Sequence, residues 1–172
     1  HKVPQKQFTK ELLSIQQIEE SLESIISLVH SVNPNCKFIF TVSPVRHLKD
    51  GFVENQVSKA HLITAIYKIL QSAIYFPSYE IMMDELRDYR FYASDMLHPS
   101  DVAVEYIWSK FSESVFSEEM LQLMKKLEQL AADRAHRPLH PLSPEYALFK
   151  ENTGKRKNEI IQKYPFLADR IK

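Results

Sequence analysis

The first third of the chain carries one apolar stripe at helical spacing. Lysines and glutamates fill the positions between its members, which is the pattern of an amphipathic helix that packs on a sheet. Thr9 is the predicted N-cap, and Asn33-Pro34-Asn35 ends the helix because the residue before a proline is pushed out of the helical region. The stripe consists of Phe8, Leu12, Ile15, Ile18, Leu22, Ile25, Ile26, Val29 and Val32.

Two short runs of β-branched and aromatic residues predict strands. Residues 37–42 form a continuous apolar run, which fits a strand buried on both faces, and residues 73–77 form a second candidate whose end is restricted by Pro77. A helical pattern over residues 55–72 separates the two runs. This order of elements predicts an α/β fold built on a parallel sheet.

Within residues 93–101, a carboxylate lies three positions before a histidine, just ahead of the predicted start of a further helix. Pro99 suits the first helical position, and Asp101 then lies in the first turn, where the helix dipole favours a negative charge. In that geometry Asp95 can accept a hydrogen bond from Nδ1 of His98, which makes the imidazole a general base. The alternative is a surface histidine beside a helix start.

Polar residues also follow the first predicted strand. Ligands of parallel sheets bind beyond the carboxyl ends of the strands, so the loop after residue 42 is a candidate binding region. Arg46 could hold an anionic or carbonyl oxygen and His47 could donate a hydrogen bond, while Lys59 lies near the same end of the sheet. Pairing of Arg46 with a surface carboxylate is the alternative.

Composition narrows the classes of function. The 172 residues contain 22 basic and 22 acidic side chains, so no basic field favours nucleic acid. One cysteine and two glycines exclude a disulfide framework, a cysteine metal cluster and a glycine-rich phosphate loop. No apolar run is long enough to predict a membrane span. His136 and His140 have the spacing of metal ligands but lie in a proline-rich segment, so we expect neither a metal nor a cofactor.

The character of the chain changes after Phe116. A helix capped by Ser117 is predicted, then an irregular segment over residues 135–144, then a polar helix over residues 144–164 with an interruption near residues 152–154. We therefore divide the chain into a domain over residues 1–116 and a helical extension over residues 117–172. The extension could pack on the domain or on a partner, and a homo-oligomer is compatible with it.

The motifs, taken in order, resemble the GSCFA family of bacteria. They include Thr-Val-Ser-Pro-Val-Arg-His at residues 41–47, Asp-Gly at 50–51, Tyr-Phe-Pro-Ser-Tyr-Glu at 75–80 and Asp-Met-Leu-His-Pro at 95–99. That family is similar to SGNH (GDSL-like) hydrolases, which implies a three-layer, flavodoxin-like α/β domain in which Asp95 orients His98. The family's Gly-Ser-Cys-Phe-Ala motif, which would carry the nucleophilic serine, does not occur in this sequence. The resemblance thus implies a carboxyl-terminal portion of the domain, and a start at His1 without methionine agrees.

Two functions follow from these observations. The first is hydrolysis of acyl or acetyl esters of a small molecule or glycan, with Asp95 and His98 as the catalytic pair and Arg46 and His47 as substrate-binding residues. The second is a catalytically silent ligand-binding or protein-interaction domain on the same scaffold. The sequence does not specify the compartment, for which a soluble cytoplasmic protein is the default expectation.

Overall fold

The structure, a computed structural model, describes Pro4 and residues 7–171. Helices account for 64% of it, and two short strands form a parallel sheet. The chain divides into two compact units, residues 1–111 and residues 112–172. The division into domains at residue 116 stays a prediction. The main elements are α1 (Ile15–Val32), β1 (Ile39–Phe40), α2 (Phe52–Lys68), β2 (Ile74–Tyr75), α3 (Ser78–Glu80), α4 (Asp101–Val115), α5 (Glu118–Ala135) and α6 (Pro144–Lys163).

The two strands and the helix between them form a βαβ unit, as predicted. Ile39 pairs with Ile74 and Phe40 with Tyr75 in parallel register, and α2 is the crossover. The predicted burial of β1 on both faces is wrong, since Ile39 is 36% exposed and Ile74 is 55% exposed. Residues paired directly across a sheet point to the same face, so one face of this small sheet is open to solvent.

Helix α1 begins later than the apolar stripe suggests. Its N-cap is Ser14, not Thr9: Oγ of Ser14 accepts a hydrogen bond from the amide of Gln17, and Oε1 of Gln17 accepts one from the amide of Ser14. This reciprocal arrangement satisfies two amide groups that a helix start otherwise leaves unpaired. The end at Val32 agrees with the stop predicted at Asn33.

An apolar core lies beneath the segment that carries Asp95 and His98. Met82 is fully buried, and the ring of Phe76 packs edge-on against Phe111 with 5.0 Å between the ring centroids. A short helical segment, Ile81–Glu85, continues α3 and supplies several of the buried side chains. The buried members of this core are Phe76, Ile81, Met82, Leu86, Tyr92 and Ala103.

Removing the Phe76 ring is expected to destabilise the domain strongly. Phe76 is 7% exposed, so Phe76→Ala leaves a cavity and should reduce the free energy of unfolding by about 3–5 kcal/mol. The matched control is Phe52→Ala, because Phe52 is 70% exposed and its loss should change stability by less than about 0.5 kcal/mol. Urea denaturation followed by circular dichroism measures both. Equal effects of the two substitutions would contradict this description of the core.

Helix α4 begins at Asp101, two residues after the predicted start. Pro99 instead forms an antiparallel bridge with Tyr92. Ser100 precedes the helix, and its Oγ accepts a hydrogen bond from the amide of Ala103 at 3.4 Å. Asp101 lies in the first helical turn, as predicted. The bridge explains the difference, because it keeps Pro99 in an extended conformation.

The unit over residues 112–172 is helical. Ser117 caps α5 as predicted, and the proline-rich residues 136–143 are irregular. The predicted interruption of the last helix is wrong, because α6 continues through Gly154. Oγ1 of Thr153 donates a hydrogen bond to the carbonyl of Phe149 one turn earlier, which satisfies the hydroxyl within the helix. Within the described residues no helix is both long and apolar enough to cross a membrane.

Candidate active site

Asp95 and His98 lie on a short loop whose two ends are hydrogen-bonded to each other. The amide of Ala93 donates to the carbonyl of His98 at 2.8 Å, and the amide of Ser100 donates to the carbonyl of Phe91 at the same distance. Since both bonds flank the bridge between Tyr92 and Pro99, the loop leaves and re-enters the domain at one point. The two ends of the loop are therefore held by backbone hydrogen bonds.

The Asp95 side chain fixes the tip of this loop. Its Oδ1 accepts hydrogen bonds from the amides of Leu97 at 2.9 Å and His98 at 3.0 Å. Met96, between them, has a φ of 61°, a left-handed conformation that costs a residue with a side chain about 1–2 kcal/mol. The two amide bonds to a carboxylate offset that cost, so Asp95 both shapes the turn and becomes fixed by it.

The other oxygen of Asp95 binds the imidazole. Oδ2 lies 2.6 Å from Nδ1 of His98. An ionised carboxylate can only accept, so Nδ1 carries the proton and Nε2 of the neutral ring keeps a lone pair. The His98 side chain is 60% exposed and that of Asp95 is 44% exposed. The pair can thus take up a proton at Nε2 from a group that approaches from solvent.

The same hydrogen bonds keep Asp95 ionised. The amides of His98 and Leu97, followed by the His98 ring, lower the pKa of the Asp95 carboxyl to about 2. The carboxylate is fully charged at neutral pH. It can stabilise an imidazolium that forms beside it.

The guanidinium of Arg46 is held against an aromatic ring. Its Nη2 donates to the hydroxyl of Tyr92 at 2.8 Å, and its Cζ lies 4.2 Å from the centroid of the same ring. The backbone amide of Arg46 donates to the carbonyl of Leu97 at 3.3 Å. The alternative of pairing with a surface carboxylate does not hold within the described residues. The structure brings Arg46 to the loop that carries His98.

His47 contributes its backbone to this arrangement. Its amide donates to Oδ1 of Asn55 at 2.8 Å, and its side chain is exposed. Asn55 is 7% exposed and lies in the first turn of α2, so it anchors the loop to the helix start. The hydrogen bonds of the structure do not join the His47 ring to Asp95 or His98.

Lys59 is buried beneath the exit of β1. It is 3% exposed, and its Nζ donates to the carbonyl of Ser43 at 2.6 Å. Burial lowers the pKa of Lys59 below its ordinary value. The ammonium group thus holds the backbone of the loop that leads to Arg46, where the sequence indicated only a position near the strand ends.

A buried serine ties the end of β1 to the start of α3. Oγ of Ser78 donates to the carbonyl of Val42 at 2.8 Å. A serine hydroxyl has one proton, so at the 2.6 Å contact between Ser78 and Thr41 it is Thr41 that donates. The segments that follow β1 and β2 are thereby held together.

No local pattern in the sequence indicates the structural roles of Asn55, Ser78 and Tyr92. Each is at least nine-tenths buried, and each makes its hydrogen bond to a residue between 8 and 46 positions away. Tyr92 ends an aromatic and charged run over residues 87–92 that directly precedes the candidate loop in the sequence. Burial of a polar group is the signal that identifies such residues, and it is readable only in three dimensions.

No metal site emerges from the geometry. Among the residues that the structure describes, no three His, Cys, Asp or Glu side chains lie close enough to hold an ion.

Comparison with known proteins identifies the family. The family model described as GSCFA family matches residues 1–111, and the model described as GSCFA domain protein, C-terminal domain, matches residues 127–169. No curated protein and no solved structure matches the chain. The first match alone covers more than half of the sequence and contains Arg46, Asp95 and His98. The chain belongs to the GSCFA family.

Proposed function

We propose that this chain supplies the histidine and aspartate of a Ser-His-Asp triad in an ester hydrolase of SGNH type. The observation that carries the proposal is the 2.6 Å contact between Nδ1 of His98 and Oδ2 of Asp95, on a loop whose turn Asp95 itself fixes. A triad needs this arrangement: a carboxylate that sets the tautomer, and an exposed Nε2 that can accept a proton.

The fold supports the same proposal. The βαβ unit formed by β1, α2 and β2 is the repeating element of a three-layer, flavodoxin-like domain, and the Arg46 loop follows a strand at its carboxyl end. That end of a parallel sheet is where ligands bind in such domains. In the proposal, Arg46 and His47 bind the acyl or alcohol part of the substrate, a small-molecule or glycan ester.

The reaction follows ordinary triad chemistry. A serine Oγ attacks the ester carbonyl while Nε2 of His98 takes its proton, and Asp95 stabilises the resulting imidazolium. The imidazolium then returns the proton to the departing alcohol, and water hydrolyses the acyl-enzyme by the same steps. The serine is proposed to come from the Gly-Ser-Cys-Phe-Ala segment after which the family is named, which is not among these 172 residues.

A serine-directed fluorophosphonate tests this proposal. The reagent is applied to the natural protein that combines this chain with the Gly-Ser-Cys-Phe-Ala segment, and mass spectrometry locates the labelled residue. We expect label on the serine of that segment, and loss of labelling in His98→Ala because the nucleophile is no longer activated. Absence of label, label on Ser43, or equal labelling of wild type and His98→Ala would overturn the proposal.

A further inference from the structure

A small cavity lies beside the loop of the candidate triad residues. Its volume is about 140 Å³, and we call it the Arg46 pocket. This volume is several times what one water molecule needs, so a group of the size of a carboxylate can enter the pocket. The lining residues are Arg46, Met82, Met83, Arg87, Tyr89 and Tyr92.

The guanidinium in this pocket is already oriented. Tyr92 is 9% exposed, and its hydroxyl accepts from Arg46 while donating to Sδ of Met83 at 3.9 Å. The ring of Tyr89 lies on the same guanidinium, with its centroid 5.8 Å from Cζ. A guanidinium has five N–H donors, and within the described residues Tyr92 is the one side chain that accepts a hydrogen bond from Arg46. Most of its donors are thus available to a ligand.

The charge of the pocket favours an anion. Within the described part of the chain, no carboxylate lies within 4.0 Å of the Arg46 guanidinium. Arg87, the second cation of the pocket, lies 3.2 Å from Oδ1 of Asp84, an exposed carboxylate that does not line the pocket. Arg46 is therefore the cation without an acidic partner, and the planar fork of its guanidinium matches the two oxygens of a carboxylate.

Backbone contacts join the pocket to the candidate triad residues on both sides. The amide of Arg46 binds the carbonyl of Leu97, the residue before His98. Tyr92 is bridged to Pro99, the residue after His98. Two residues that line the pocket are thus joined through the backbone to the segment that carries His98.

From this arrangement we infer that the Arg46 pocket binds the free carboxylate of an acidic ester. The inference rests on the proposed hydrolase function and specifies its substrate class: esters whose acyl or alcohol part bears a carboxylate a few carbon atoms from the ester bond. The half-buried side chain of Met83 would contact the methylene groups next to that carboxylate, and the fully buried Met82 lies behind it.

The first test measures binding without hydrolysis. The full chain is isotopically labelled at its methionine methyl groups and titrated with monomethyl adipate, with uncharged dimethyl adipate as the matched ligand. Saturable shifts of the Met82 and Met83 signals are expected with the acid only, while Met120 and Met124 should not shift because they lie in the other unit. Equal shifts with both ligands, or shifts of all methionines, would overturn the inference.

Variants identify the cation responsible. Arg46→Gln should weaken binding of the acid about 10- to 100-fold, as expected for loss of hydrogen bonds to a charged group. Arg46→Lys keeps the charge without the fork and should weaken binding less. Arg90→Gln is the control. Arg90 is exposed and lies between Tyr89 and Tyr92 in the sequence, but its guanidinium stacks on the ring of Phe91 and does not line the pocket. Unchanged affinity in a folded Arg46→Gln protein would refute the assignment.

A hydrolysis assay separates this inference from the proposed function. The mono-p-nitrophenyl ester of adipic acid is compared with its methyl-capped diester in the protein that carries the proposed serine, and the ratio of the two rates should fall to about one in Arg46→Gln. Carboxylate binding without any hydrolysis would remove the hydrolase proposal and leave the pocket assignment intact. Hydrolysis of both esters without preference for the acid would refute the pocket assignment and leave the hydrolase proposal intact.

Discussion

Replacing His98 by alanine is expected to reduce kcat for p-nitrophenyl acetate by about 10⁴-fold or more in the natural protein. Removal of a triad histidine takes away both the base that activates the serine and the acid that protonates the leaving group. The substitution should leave the fold of the loop intact. The His98 side chain is 60% exposed, and the bond from the amide of Ala93 goes to its backbone carbonyl, which alanine retains.

His140→Ala is the matched control for this measurement. His140 is an exposed histidine in the irregular segment of the other unit, so its loss should leave the rate unchanged. Circular dichroism spectra should be the same for all three proteins. Equal rates for wild type and His98→Ala would leave a ligand-binding or interaction domain as the function of this scaffold.

The second large effect is expected from Asp95→Asn, which should lower kcat by about 10⁴-fold with little change in KM. Oδ1 of asparagine can still accept from the amides of Leu97 and His98, so the turn is preserved. The amide nitrogen that replaces Oδ2, however, donates instead of accepting. It would bind the lone pair of Nδ1 and force the proton onto Nε2, the atom that must act as the base.

The charge of Asp95 should affect the stability of the loop and the activity in different ranges of pH. Hydrogen bonds from the loop lower the pKa of Asp95 to about 2 from an ordinary value of 3.8. The carboxylate therefore stabilises the folded loop above pH 3.8, and this stabilisation is lost as pH falls through about 2. Between about pH 4 and about pH 9 Asp95 stays ionised, so loss of wild-type activity in that range comes from another group.

Kinetic profiles of wild type and Asp95→Asn over that range provide the check. The asparagine variant should show the low kcat at every pH, because its defect is a wrong tautomer and not a changed protonation of residue 95. Asp95→Glu is a useful comparison, since it restores the charge but not the short reach to the two amides. A variant with altered thermal stability and unchanged kcat would show that Asp95 acts on the loop alone.

Local patterns in the sequence were sufficient for the main elements. The helical spacing of apolar residues located α1, α2 and α5, and the caps at Ser117 and the stop at Asn33 were correct because they depend on neighbouring residues. The starts of α1 and α4 were misplaced. At α1 the reciprocal cap of Ser14 and Gln17 sets the start instead of Thr9, and at α4 the bridge between Pro99 and Tyr92 delays the start to Asp101.

The candidate pair was predictable for the same local reason. Asp95 and His98 are three residues apart, so a single turn is enough to bring Oδ2 to Nδ1. The fold class was only partly predictable. The βαβ order follows from the sequence, whereas the short strands and the exposure of Ile39 and Ile74 reflect which elements cover the sheet.

The sequence by itself thus determined the main helical elements, the parallel strand order and the contact between Asp95 and His98, because each of these depends on residues that are close along the chain or repeat with a fixed period. Only the tertiary structure decided the setting of that pair. Three hydrogen bonds that define this setting join residues 16 to 46 positions apart. They link Arg46 to Tyr92, Lys59 to Ser43, and Ser78 to Val42. Contacts at such separations depend on how the whole chain packs, and no local pattern encodes them.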